Sequence, residues 1–187
     1  MGEKTPVYES VRKNEEYIRK KCDQCADIII RPMRLGDERK VDCLIVYLEV
    51  AVSNMMLEDS VIGKLINHFW EIPPSQMKEF LKNNSLGISD VKELPTLEEA
   101  VEAMLAGNAV FFMDGYDQAV KIAGKGYPAM MVGKAETEKV LRGSKEGFTD
   151  SVKINSALIR KRVKDTRLKV VERQMGVRSN TMLQLLY

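Results

Sequence analysis

The sequence predicts a mixed α/β (α+β) fold: two small subdomains of helices packed on mixed β-sheets, joined by a helix, with the second subdomain cut short. Three observations predict it. Apolar runs of strand length alternate with stretches whose apolar residues recur at helical spacing. Apolar residues make up 44% of 187, enough to bury a core. After Val132 the texture changes to short polar and charged residues up to Gly147, which places a boundary between a first subdomain, 1–133, and a linker helix with the start of a second, 134–187.

Residues 7–21 are expected to form a helix with Val7, Val11 and Ile18 on one side. Asp27–Met33 is an isoleucine-rich apolar run and Lys40–Val50 a second, so both read as strands, joined by a hairpin loop over Leu35–Arg39. Asp59 or Ser60 caps a helix carrying Val61, Ile62, Leu65, Ile66 and Phe69, which Pro73-Pro74 stops. Ser75 caps another with Met77, Phe80 and Leu81, ending at Asn83-Asn84 and Gly87.

Thr96-Leu97-Glu98-Glu99 matches a reciprocal capping box, in which the threonine hydroxyl takes the third amide and the glutamate reaches back. Leu97, Val101, Met104 and Leu105 follow as an apolar stripe, and Gly107 is a natural stop. Ala109–Met113 reads as a strand, Asp114-Gly115 as its turn and Gln118–Ala123 as the return. Thr149 or Asp150 caps a helix running to about Val163. Arg167–Met175 and Thr181–Leu186 are two further strands around Gly176, and the partners of the last are expected beyond Tyr187. No internal repeat is expected in this length.

The net charge of +2 is too small to imply nucleic-acid binding. The charge is uneven, however. Lys134 to Arg178 holds thirteen Lys/Arg against six Asp/Glu, and the remainder is mildly acidic. Such a basic third suits an anionic neighbour: a lipid surface, an acidic protein face or a nucleic acid. No apolar run approaches the ~18–20 residues of a spanning helix, and MGEKTPVYES lacks the apolar stretch of a secretory signal, so the chain as written reads as soluble and cytosolic. Three cysteines without a signal point to reduced thiols.

Each constellation with chemical potential has a plainer reading beside it. Cys22-x-x-Cys25 is half a zinc site or redox pair, which Cys43 and the single histidine, His68, would have to complete; the plainer reading is two thiols near a helix end, and no metal is expected. His68, beside Phe69 and Trp70, reads as a core-edge histidine. No serine or cysteine lies in a nucleophile elbow. Gly124-Lys125-Gly126 and Gly133-Lys134 fit neither phosphate-loop pattern. No cofactor and no enzymatic activity are expected. Arg160-Lys161-Arg162 with Lys164, Arg167 and Lys169 suits phosphate or lipid headgroups, or is the solvated face of an amphipathic helix. Arg142–Phe148 brackets charges between Gly143 and Gly147. It reads equally as a linker docking Phe148 between subdomains and as a ligand or partner loop.

Several segments carry a family resemblance. Glu136–Phe148 (ETEKVLRGSKEGF), Asn155–Arg162 (NSALIRKR), Asp165–Lys169 (DTRLK), Gly176–Thr181 (GVRSNT) and Met104–Gly115 (MLAGNAVFFMDG) are similar, in order, to segments of the bacterial spore germination GerA family. The likeness covers about residues 96–187; residues 1–95 match in pattern. Both the germinant-receptor A-subunit branch and the stage V sporulation AF branch fit. Proline is absent from Arg142–Phe148, and Asn180 stands where the family has lysine.

The resemblance implies the N-terminal region of a spore inner-membrane protein on the cytoplasmic, spore-core side, followed by membrane segments. It implies other subunits of a germination complex as partners, a homo-oligomer in the full-length protein, and assembly and signal transmission in a nutrient-gated ion-release channel. No nucleic acid is expected. The alternative is a germinant-binding domain with a cleft between subdomains. Under the first reading Arg142, Gly143, Glu146 and Phe148 form a hinge or contact loop. Asn155, Arg160 and Arg162 then anchor the linker helix to neighbouring subunits or to the Arg178-Ser179 turn.

Overall fold

The computed structural model describes residues 4–36, 40–49, 76, 79, 91–122 and 147–187. Within them lie a five-stranded sheet, a two-stranded sheet and three helices. Gln76 and Glu79, in the region expected to be helical after Pro74, are helical; the helix expected over 61–69 lies outside the described residues.

The order begins with helix α1 (Val11–Lys21), then strands β1 (Ile28–Leu35) and β2 (Val41–Leu48), which pair antiparallel as the expected hairpin. Strand β3 (Val91–Leu94) follows, then helix α2 (Leu97–Leu105), and the hairpin of β4 (Ala109–Met113) and β5 (Ala119–Ile122). The sheet runs β1-β2-β4-β5-β3, antiparallel at every step. The mixed α/β class holds, and among the described residues the strands pair antiparallel where mixed sheets were expected. β3 escaped the sequence reading because Val-Lys-Glu-Leu has no apolar run; its pairing with β5 makes it a strand.

β2 and β4 are apolar at every central position because both faces of the sheet are buried. Leu44, Val46, Leu48, Val110 and Phe112 point to one side, where α1 and α2 deliver Val11, Ile18, Leu97, Val101 and Met104. Cys43, Ile45, Tyr47, Phe111 and Met113 form a second buried cluster on the other side. On α2, the Thr96 hydroxyl accepts the Glu99 amide at 3.3 Å. The Glu99 carboxylate is taken by Lys4 Nζ at 2.8 Å.

Helix α3 (Val152–Arg162) leads to the hairpin of β6 (Val170–Met175) and β7 (Thr181–Leu186). Its N-cap is Ser151, not Thr149 or Asp150, and Ser151 makes no side-chain cap bond. Thr149 and Asn155 close the helix start instead: Asn155 Oδ1 accepts Thr149 N and Nδ2 donates to Thr149 O, both at 2.7 Å.

The same device opens α1. Asn14 Oδ1 accepts Tyr8 N at 2.9 Å and Nδ2 donates to Tyr8 O at 2.7 Å. Ser10, Val11, Asn14, Ile18 and Arg19 recur in the same spacing as Ser151, Val152, Asn155, Ile159 and Arg160. Each helix has eleven residues and precedes an antiparallel hairpin whose first strand is followed by a glycine at positive φ: Gly36 at 106° and Gly176 at 92°. The eleven-residue helix with an asparagine-closed start, followed by a hairpin, therefore occurs twice among the described residues, against the expectation of no repeat. Composition hid it, because the copies agree mainly at helix-start and apolar positions.

A Cβ at Gly176 would lie 2.4 Å from Ser179 Oγ. Rotation of that hydroxyl relieves the clash, but the left-handed φ remains. Gly176→Ala is expected to cost ~1–2 kcal/mol, read as a lowered midpoint in thermal unfolding.

Candidate functional site

The two helix–hairpin units meet where α1 ends. Cys22 caps the helix, Gln24 takes a left-handed φ of 56°, and Cys25 N donates back to Cys22 O at 3.2 Å. This turn presents backbone groups sideways. Ala26 N donates to Val170 O at 2.8 Å and Val170 N to Gln24 O at 2.9 Å, forming a short parallel bridge from the turn to β6. Cys25 Sγ sits 3.6 Å from the carbonyl oxygens of Thr166 and Leu168. Lys169 Nζ donates to Asp23 O at 2.8 Å, and Tyr187 OH bonds Gln24 Oε1.

Beneath this turn lies a buried ion pair. Arg160 is 0% exposed. Its Nε and Nη2 donate to Asp27 Oδ2 and Oδ1 at 2.7 and 3.0 Å, and Nη1 and Nη2 donate to Asp165 O and Leu168 O at 2.7 and 3.0 Å. Asp27 O in turn accepts Glu49 N. The planar fork thus binds carboxylate and carbonyls together, a match that lysine does not offer. Burial lowers the Arg160 pKa, and the hydrogen bond and charge of Asp27 more than restore it, so the group stays charged. At the rim, Lys153 Nζ meets Glu49 Oε1 at 2.8 Å. Asp165 is held down to about 2 by hydrogen bonds from the Arg167 side chain and amide.

Beside the joint lies a cavity of about 820 Å³. Arg19, Cys22 and Ile30 line one side; Val171, Arg173 and Tyr187 line the other. Among the described residues no group of three or more His, Cys, Asp or Glu is placed to hold a metal, and His68 lies outside them. All three thiols are buried and unbridged. Burial pushes Cys22 and Cys43 up to about 12, so neither thiol has nucleophilic character at neutral pH.

The consequence for stability follows from the sign. The folded state keeps these thiols protonated while the unfolded chain ionises near 9. Their contribution is intact below that value and is lost as pH rises from about 9 to about 12. The native protein is expected to resist a thiol reagent at pH 8 and to react at all three cysteines once denatured. A spectrophotometric titration with and without denaturant checks this.

The expected contact residues fall in different places. Arg142, Gly143 and Glu146 lie outside the described residues, as does the boundary at 133/134. Phe148 is 72% exposed and docks into no pocket among the described residues. Asn155 is committed to Thr149 and Arg160 to Asp27, so neither reaches the Arg178-Ser179 turn. Arg162 is exposed, with Nη1 donating to Leu158 O at 3.3 Å. Arg178 and Ser179 form the exposed tip of the β6–β7 hairpin.

Sequence reasoning missed Asp27, Gln24 and Cys25 as the receiving half of the joint. One signal was present: an aspartate directly before an isoleucine run, and an arginine on the same helix face as Ser156 and Ala157.

The model of the Bacillus/Clostridium GerA spore germination protein family matches residues 16–187. Uncharacterized membrane protein YfkQ of Bacillus subtilis is 30% identical over 97% of the chain, which covers 35% of that protein. Stage V sporulation protein AF of the same organism is 29% identical over 99% of the chain, covering 37% of it. Spore germination protein KA is 26% identical over 95%, covering 32%. The chain thus spans about a third of the length of these relatives. Among solved structures, the N-terminal domain of the A subunit of the Bacillus megaterium spore germinant receptor GerK3 superposes with a TM-score of 0.75 over 100% of the chain and 67% of that chain, at 19% identity, which shows a shared fold.

Proposed function

The chain belongs to the GerA spore germination protein family, and from that premise we propose that it works as a non-enzymatic assembly and signal-transmitting domain of a spore germination complex. Spore germination and the germinant-receptor A-subunit relationship stand on the family match; the role in gating ion release is our reading. The observation that supports it is the buried Asp27–Arg160 pair. A charge pair of this kind, satisfied on every side, holds two helix–hairpin units in one register and transmits displacement between them. Among the described residues no group of three or more His, Cys, Asp or Glu lies around it in reach of a metal ion.

On this reading the full-length protein sits in the spore inner membrane with this domain on the core side. Among the described residues no helix is long and apolar enough to cross a membrane, so attachment would come from other segments. Exposed Phe148, the residues Arg142, Gly143 and Glu146, and the Arg178-Ser179 tip are proposed to meet neighbouring subunits.

The test replaces Phe148 and Arg142 by alanine in the full-length protein, followed by cross-linking of the complex and germination kinetics. Cross-linked oligomer and germination rate are expected to fall several-fold together. Wild-type values for both variants would refute the contact assignment.

The cavity beside the joint favours a second reading, a small germinant held between the two units, since clefts between units suit small ligands. A ligand present at 100 times its Kd would add about 2.7 kcal/mol of stability. Thermal shift with amino acids and sugars distinguishes the readings: no stabilisation by any nutrient removes this one.

A further inference from the structure

The last turns of α1 and α3 both carry three consecutive cations, Arg19-Lys20-Lys21 and Arg160-Lys161-Arg162. One cation near a helix C-terminus suffices to complement its dipole, and Arg160 is used inside. Lys20 and Lys21 of the first triplet turn toward the loop after α3. A second cavity, of about 370 Å³, is lined by Tyr17, Lys20, Lys21, Thr166, Arg167 and Lys169, bringing four cations from the end of α1 and the loop after α3 around a single hollow. Arg167 takes the Asp165 carboxylate at 2.6 Å, and Lys21 adds a weaker attraction from the end of α1. Along the same loop Arg162 and Lys164 are exposed, and between them Val163 is 42% exposed.

We propose that this basic face is a docking surface for anionic phospholipid headgroups. Several cations on two converging elements give the attraction. The hollow between Lys20, Lys21, Arg167 and Lys169 accepts a phosphate group. Val163, an apolar residue ringed by charge, suits an interface with a polar skin and apolar depth. A single-stranded nucleic acid would instead call for exposed aromatic rings among the cations. The aromatic ring here, Tyr17, is half-buried with its hydroxyl donating to Glu98. The proposal does not depend on the assembly reading, because it rests on a different surface and is tested without the complex.

The experiment is co-sedimentation of the 187-residue chain with phosphatidylcholine vesicles, with and without phosphatidylglycerol. Binding is expected to be at least about tenfold stronger to the anionic vesicles and to weaken as salt rises. Lys20→Glu with Lys21→Glu, and separately Lys164→Glu with Arg167→Glu, should each reduce it about tenfold or more. Lys92→Glu, at an exposed position on the edge strand β3, should not. Equal binding to both vesicles, or anionic binding untouched by either pair, would overturn the proposal. So would full displacement by inorganic phosphate at matched ionic strength, which marks a free-phosphate site, or tighter binding to an oligonucleotide than to anionic vesicles. Should a reversal unfold the chain, seen by circular dichroism, the vesicle and salt comparisons on the unaltered chain still decide the matter.

Discussion

Arg160→Met is expected to destabilise the protein by ~3–5 kcal/mol, because the Asp27 carboxyl is left buried without its partner. Two carbonyls, of Asp165 and Leu168, also lose a donor. At about 2–4 °C per kcal/mol for a chain of this size, the unfolding midpoint should fall by roughly 6–20 °C. The decisive comparison is with Asp27→Leu/Arg160→Met. Removing both charges abolishes the unpaired carboxylate, so the double variant should be more stable than Arg160→Met alone. A double-mutant cycle reads the coupling. Strict additivity would mean that the two residues do not act as a unit, and the joint would lose its physical basis.

Asn14→Ala is expected to cost ~2–4 kcal/mol, the next largest effect. Asn14 is 0% exposed and satisfies both the amide and the carbonyl of Tyr8. Alanine removes two hydrogen bonds and leaves two backbone groups without a replacement near the buried site. Its counterpart in the second unit makes the same pair of bonds to Thr149 but is only partly buried, so water can substitute. Asn155→Ala should therefore cost less, ~1–2 kcal/mol. Chemical denaturation of the two variants side by side checks this; a larger loss at Asn155 would contradict the role given to burial.

Reading the sequence located elements well where the signal was local. β1, β2, β4 and β5 announce themselves as apolar runs, α2 by its threonine cap, and β6 and β7 by their turn at Gly176. The family was legible for a similar reason: ordered motifs such as Glu136–Phe148 survive without knowledge of their contacts. β3 was missed because Val91–Leu94 has strand character only against β5. The joint was missed because Arg160 and Asp27 are 133 residues apart, and Cys22-x-x-Cys25 drew attention for its chemistry when its use is a turn that offers backbone groups to β6. The repeat was hidden because its copies share capping and packing positions and little else.

The sequence by itself determined the mixed class, the order of most helices and strands, and membership of a germination family. All of these follow from periodicity, caps and motifs that act over a few residues. Only the tertiary structure decided that the described strands pair antiparallel, that an arginine in a basic run is buried while Arg162 and Lys164 stay exposed, and which cations share one hollow. Burial and pairing are properties of what lies across the fold, and the free energy that commits Arg160 to Asp27 exists only once the two helix–hairpin units have been brought together.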